Sequence, residues 1–121
     1  MTDTYSSLVA AMKALTQGES PAEVITLPMA EDEWNTRPNA ESYGIISLDF
    51  ERDSLDGDDV KLDVSMEGSV DLFSPAKDGD GWVPLITAAL AEYCGPCWEW
   101  NSHAYERETG LFHWEWTFEV I

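Results

Sequence analysis

Basic residues are scarce in this chain. Six Lys and Arg stand against 24 Asp and Glu, a formal net charge of −18 over 121 residues. The six, Lys13, Arg37, Arg52, Lys61, Lys77 and Arg107, are scattered, whereas phosphate contact needs them clustered. Direct nucleic-acid binding is therefore not expected. No apolar run approaches the ~20 residues of a membrane-spanning helix. Met1-Thr2-Asp3-Thr4-Tyr5 places no basic region ahead of an apolar core, so the start does not read as a secretory leader and action in a cytoplasm is expected. Cysteine is limited to Cys94 and Cys97, too few for a disulfide framework. Hydrophobic residues nonetheless make up 44% of the chain, with six Trp among them, which excludes global disorder. The length suits a single domain over 1–121, large enough to bury a core without metal or disulfide. The charge has three readings: solubility, a surface that repels DNA as a channel lining would, or mimicry of DNA toward a basic partner.

The strongest pattern lies at 98–121. Trp98, Trp100, Ser102 and Ala104 alternate with Glu99, Asn101, His103 and Tyr105, and Phe112, Trp114, Trp116, Phe118 and Val120 alternate with His113, Glu115, Thr117 and Glu119. Strict alternation reads as strand. Glu108-Thr109-Gly110 supplies a three-residue hairpin loop with Gly in the left-handed position. Pairing Arg107 with Leu111 sets Trp100 opposite Phe118, Trp98 opposite Val120 and Ala104 opposite Trp114, with the large apolar groups on one face.

Upstream, Tyr5, Leu8, Val9, Met12 and Leu15 recur at helical spacing, predicting a helix over about 4–16 with Thr4 as N-cap and Gly18 as stop. Val24-Ile25-Thr26-Leu27 is a short strand ended by Pro28, and 31–40 reads as an irregular loop carrying Trp34. Strands follow at 43–50 and 62–73. In the second, Leu62, Val64, Met66, Val70 and Leu72 point inward, Asp63, Ser65, Glu67, Ser69 and Asp71 point outward, and Gly68 marks a bulge or close backbone approach. Trp82 to Tyr93 carries the apolar stripe of a second helix, with Pro84 tolerated in its first turn. The order is α-β-β-β-α-β-β, without internal repeat or linker. The expected fold is α+β: a mainly antiparallel sheet of about five strands with two helices on one face, the other face wet.

The motifs that suggest chemistry are weak. Cys94-Gly95-Pro96-Cys97 matches the four residues of thioredoxin-like active sites, but there the motif opens a helix, whereas here it ends one. A helix C-terminus raises a thiol pKa, so a tight turn with reduced thiols is expected. The cysteines with His103 and His113 fit no zinc spacing, and Asp53, Asp56, Asp58 and Asp59, like Asp78-Gly79-Asp80-Gly81, miss the calcium-loop pattern. No phosphate loop or Ser-His-Asp spacing stands out. No catalytic, metal or cofactor residue is assigned, and no enzyme activity is expected. Trp34 reads either as an exposed binding anchor or as a lid folded on the sheet.

The order of elements and several phrases resemble the tail terminator, or tail completion, proteins of tailed phages and prophages, especially those of Gram-positive hosts. The matching stretches are Leu-Val-Ala-Ala-Met-Lys-Ala-Leu-Thr-Gln-Gly at 8–18, Tyr43-Gly44-Ile45-Ile46-Ser47, Met66-Glu67-Gly68-Ser69-Val70-Asp71-Leu72-Phe73, Ala88-Ala89-Leu90, Trp100-Asn101-Ser102, and Glu108-Thr109-Gly110 leading into Leu111-Phe112-His113-Trp114-Glu115-Trp116. The cysteine turn is not part of that pattern. The resemblance implies a non-enzymatic virion protein at the head-proximal end of the tail, made in a host bacterial cytoplasm. It implies a homo-oligomer, typically a hexameric ring, that caps the tail tube protein, stops tube growth and joins the head connector or stopper, with DNA passing through and no membrane involved. An acidic lumen would repel phosphates. The acidic stretch Asp53, Asp56, Asp58 and Asp59, with Trp34, is the candidate interface or lumen element, because loops carry function more often than the strands that hold them. Two alternatives stand: another head–tail connector or neck protein, or an acidic DNA-mimic inhibitor of a host nuclease or defence enzyme. For mimicry the outward row Asp63, Glu67 and Asp71 would supply carboxylates on one strand face, where alternate positions stand ~6.6–6.8 Å apart, with gaps at Ser65 and Ser69 that break a continuous track.

Overall fold

A computed structural model describes residues 3–18, 20, 22–31, 42–55 and 61–120, and for 3, 49–55 and 61–65 only the main chain. Helix α1 (Asp3–Lys13) is followed by short strands β1 (Thr16–Gln17), β2 (Ile25–Thr26) and β3 (Met29–Glu31). Then come β4 (Tyr43–Leu55), β5 (Lys61–Ser74), helix α2 (Trp82–Cys94) and the hairpin β6 (Trp98–Glu106) and β7 (Leu111–Val120). The five-stranded sheet runs β3-β4-β5-β7-β6, and β1 and β2 form a separate two-stranded ribbon. Every pairing in the large sheet is antiparallel except β3 with β4. The α+β architecture read from periodicity is the one observed.

Both helices lie on one face. Tyr5, Leu8, Val9 and Met12 of α1 and Trp82, Ile86, Leu90 and Cys94 of α2 share a cluster with Ile46, Met66, Val70, Leu72, Trp114, Trp116, Phe118 and Val120. Burying each large aliphatic side chain here contributes ~1.5–3 kcal/mol. Trp116, wholly buried at the centre, donates from Nε1 to Thr87 Oγ1 at 3.2 Å, so its polar atom is satisfied inside the core.

Several sequence expectations are corrected. α1 starts at Asp3, so Thr4 lies within the helix rather than capping it. The helix stops at Lys13, well short of Gly18, because Leu15 leaves it to accept the Leu27 N–H at 3.1 Å. Pro28 does not end extended structure: its carbonyl accepts the Gly44 N–H, and Met29–Glu31 continues as β3 along β4. The fifth strand of the sheet is therefore β3 and not the Val24–Leu27 strand, which joins the small ribbon.

The stretch expected to loop out after residue 50 remains strand. β4 runs to Leu55, and Asp53 pairs with Val64, since cross-strand bonding continues past the end of the apolar alternation. Asp56, Asp58, Asp59 and Trp34 lie outside the described residues. The reading of Gly68 holds. The β4–β5 register shifts between Leu48 and Phe50, opposite Gly68, and a Cβ on Gly68 would stand 2.2 Å from the Ser47 carbonyl oxygen.

The hairpin has a different register from the one expected. Glu106, not Arg107, pairs with Leu111, and Arg107–Gly110 forms a four-residue turn closed by Gly110 N–H to Glu106 O at 2.9 Å. A bulge at Asn101 then sets Trp100 opposite Trp116 and Trp98 opposite Phe118. One extra residue reverses which side chains face which side. Past the bulge, His103 and Tyr105 join Trp98 and Trp100 on the helix side, while Ser102 and Ala104 move to the other. Rings stack across the strands as a result: His103 on Trp114 at 4.6 Å, Tyr105 against Phe112 at 4.9 Å, and Trp100 edge-on to Trp116 at 5.3 Å.

Candidate functional site

The face away from the helices is not uniformly wet. Tyr43, Ile45 and Phe73 form a second buried cluster there, and Ser69 and Asp71, expected to point to solvent, are buried with them. At its edge His113 stacks on Phe73, with centroids 4.2 Å apart. His113 Nε2 meets Asp71 Oδ1 at 2.6 Å, and Nδ1 meets Glu106 Oε2 at 3.1 Å. Three adjacent strands thus supply one carboxylate–imidazole–carboxylate string. Burial alone would lower the His113 pKa, but the hydrogen bonds and charges of Asp71 and then Glu106 outweigh it and hold the pKa above its ordinary value. A general base needs a ring nitrogen facing substrate. Both nitrogens of His113 are engaged by carboxylates, and the string ties β5, β7 and β6 together across one face of the sheet.

The burial of Asp71 also bears on DNA mimicry. The side chain of Asp71 is 1% exposed, so the row Asp63, Glu67, Asp71 cannot present it as a phosphate stand-in.

The Cys94 thiol shifts in the direction expected from its place at a helix end, but burial and the neighbouring Cys97 cause the shift. Cys94 closes α2 and is buried, Cys97 is exposed, and Cys97 N–H donates to Cys94 O at 2.9 Å across Gly95 and Pro96. Burial, and then the neighbouring Cys97 charge, pushes the Cys94 thiol up to about 11. A redox thiol needs the opposite shift. Residues 103 and 113 project from opposite faces of the sheet, so the two histidines do not converge. Among the described residues, no group of three or more His, Cys, Asp or Glu is placed to hold a metal ion.

What the last strands do present is a surface with two contrasting faces. On the helix side, Trp100 and Tyr105 are 47% and 53% exposed. On the other side Glu67 and Glu119 sit directly opposite each other, Glu99 sits opposite Thr117, and Asn101 donates to Glu115. An open pocket of about 470 Å³ lies here, lined by Glu67, Glu99 and Glu119, by Gly68 and Thr117, by the aromatic residues Trp98 and Phe118, and by the turn residues Pro96 and Cys97. Neither β6 nor β7 contains a lysine or arginine. Of the sequence-stated candidates, Asp53 is a β4 residue away from this surface in the sheet order, and Trp34 and the other aspartates lie outside the described residues.

No protein-family model and no curated protein matches the chain.

Among the described residues no helix is long and apolar enough to cross a membrane. Alternation alone separated the tryptophans from Glu99, Glu115 and Glu119, but it did not place Tyr105 and His103 on the aromatic side, because the bulge that moves them carries no strong local signal. The short polar run Asn101-Ser102 between aromatic positions was the one available hint.

Proposed function

We propose that the protein is a non-enzymatic structural component of a tailed phage, a tail terminator that assembles as a hexameric ring on the tail tube and meets the head connector. The observation that carries the reading is the division of the β6–β7 hairpin into an exposed aromatic rim and a carboxylate face, with the adjacent histidine fully engaged. That is a surface built for contact and charge rather than for turnover. The resemblance in the helices, the Gly68 strand and the aromatic hairpin supports it. The charge of −18 supports it too, since carboxylates on a ring lumen keep passing DNA from sticking. In this reading the ring sits at the head-proximal end of the tail in the virion.

Light scattering on a sizing column, over a range of protein and salt concentrations, tests the proposal, with electron microscopy of the peak fraction and of the protein mixed with tail tubes. A discrete hexamer, or a ring capping tubes, is expected. A monomer at all concentrations that also leaves tube ends bare refutes it. Replacing Asp53, Asp56, Asp58 and Asp59 with Asn then asks whether that stretch is the working surface: normal tail length and head joining would remove it from the interface.

A further inference from the structure

β6 ends the large sheet, and no described strand pairs with its outer side. The Cys97 carbonyl accepts the Glu119 N–H at 2.8 Å. By antiparallel alternation the next residue bonded to β7 is Glu99, so Trp98 and Trp100 turn their main-chain groups outward. The nine residues of β6 offer roughly 30 Å of edge at ~3.3 Å per residue. Edges of that length are usually guarded by lysine, proline or a bulge. β6 has the Asn101 bulge but neither lysine nor proline.

The two faces flanking this edge are chemically different. The helix side offers the exposed rings of Trp100 and Tyr105. The opposite side offers Glu99 on the edge itself, then Glu115 and Glu119 one strand in, with the pocket beside them. A second copy is a poor occupant. It would set the Glu99 carboxylates of both copies on one joined sheet, with Glu115 and Glu119 of each beside them and no lysine or arginine on either strand to offset them. Charge complementarity selects a cationic strand.

We propose that the open edge of β6 binds an extended basic segment of another protein as an added strand. Its Arg or Lys side chains face Glu99, Glu115 and Glu119, and its alternate apolar side chains cover Trp100 and Tyr105. Main-chain bonding supplies affinity, and the alternation of charge and apolar groups supplies selectivity. This inference does not depend on the ring proposal.

The probe is a synthetic peptide of about ten residues alternating arginine with valine, a length matched to the edge. Binding to the full-length protein is followed by titration calorimetry and by exchange protection of the β6 amides. Micromolar binding is expected, weakening about tenfold between about 50 and 300 mM salt, with the Trp98 and Trp100 N–H groups newly protected. Peptides N-methylated at alternate residues, made in both phases, test strand addition directly: one phase should lose binding. Glu99→Gln with Glu119→Gln should weaken binding about tenfold while circular dichroism stays unchanged, and Trp100→Ala should weaken it at high salt as well as low. The proposal is overturned if the peptide does not bind, if neither N-methylated phase matters, or if protection appears away from β6. It is equally overturned if the edge proves filled by a second copy, seen as a doubled mass and exclusion of the peptide.

Discussion

Replacing His113 with Gln removes the cation between Asp71 and Glu106 and keeps a side chain of similar reach. The two arms are unequal. The Asp71 side chain is 1% exposed and that of His113 21%, whereas that of Glu106 is 36% exposed. The Glu106 arm is therefore close to a surface pair, worth under ~1 kcal/mol. The Asp71 arm is a buried pair, and breaking such a pair costs about 3–5 kcal/mol. Loss of the ring stack on Phe73 adds about 0.5–1.5 kcal/mol. Glutamine still donates one hydrogen bond, so a net loss of about 3 kcal/mol is expected near pH 6. The folded pKa of His113 lies above the unfolded value of about 6.5. The ionic contribution is therefore complete below about pH 6.5 and is lost as pH rises through the folded pKa. Urea unfolding of wild type and His113→Gln at several pH values measures this. The gap between them should be widest near pH 6 and shrink toward about 1–2 kcal/mol once pH has risen through the folded pKa, where a neutral hydrogen bond and the stack remain. A gap that stays flat, or widens with pH, would refute the assignment of a charged His113–Asp71 pair. A double-mutant cycle with Asp71→Asn separates the pairwise coupling from packing.

Three further outcomes follow from the packing. Gly68→Ala should destabilise by at least about 2 kcal/mol in denaturant unfolding, because the new Cβ meets the main chain of β4 at Ser47 rather than a movable side chain. Trp116→Ala should cost about 3–5 kcal/mol from the centre of the core, whereas Thr87→Val, which strands the indole N–H and removes the Thr87 hydroxyl's bond to the Val83 carbonyl, should cost about 1–3 kcal/mol in the same assay. A thiol reagent at neutral pH should label Cys97 promptly and Cys94 only on unfolding, since the Cys94 thiol is buried and its pKa is raised to about 11; equal labelling rates in the native protein would contradict the burial.

The secondary structure was legible where a single period ran uninterrupted. Leu8, Val9 and Met12 recur at helical spacing, Ile86 and Leu90 do the same in α2, and Met66, Val70 and Leu72 alternate along β5; each buries the face its period selects. Gly68 announced a close approach because only a missing Cβ fits there. The two-layer α+β arrangement followed, since apolar helix stripes and one apolar sheet face have only each other to cover. The turn at 94–97 was legible in the same way, from Gly and Pro at a helix end.

What the tertiary structure decided were matters of register and second-face burial. Alternation states which residues share a face but not where the count slips. The bulge at Asn101 moved His103 and Tyr105 to the helix side, where rings of β7 await them. Asp71 reads as a solvent residue from its alternation with Val70 and Leu72. It is buried because Phe73, Tyr43 and Ile45 gather on the far face and His113 arrives from β7 to match its charge. That match depends on which residue of one strand lies beside which residue of another. Period, propensity and composition are properties of one segment at a time, and they carry no information about that pairing. The sequence by itself determined the two helices, the long strands of the sheet and the apolar face that the helices cover. Only the fold decided which aromatic groups stayed in solvent, which carboxylates were neutralised, and that β6 would end the sheet with no described strand on its outer side.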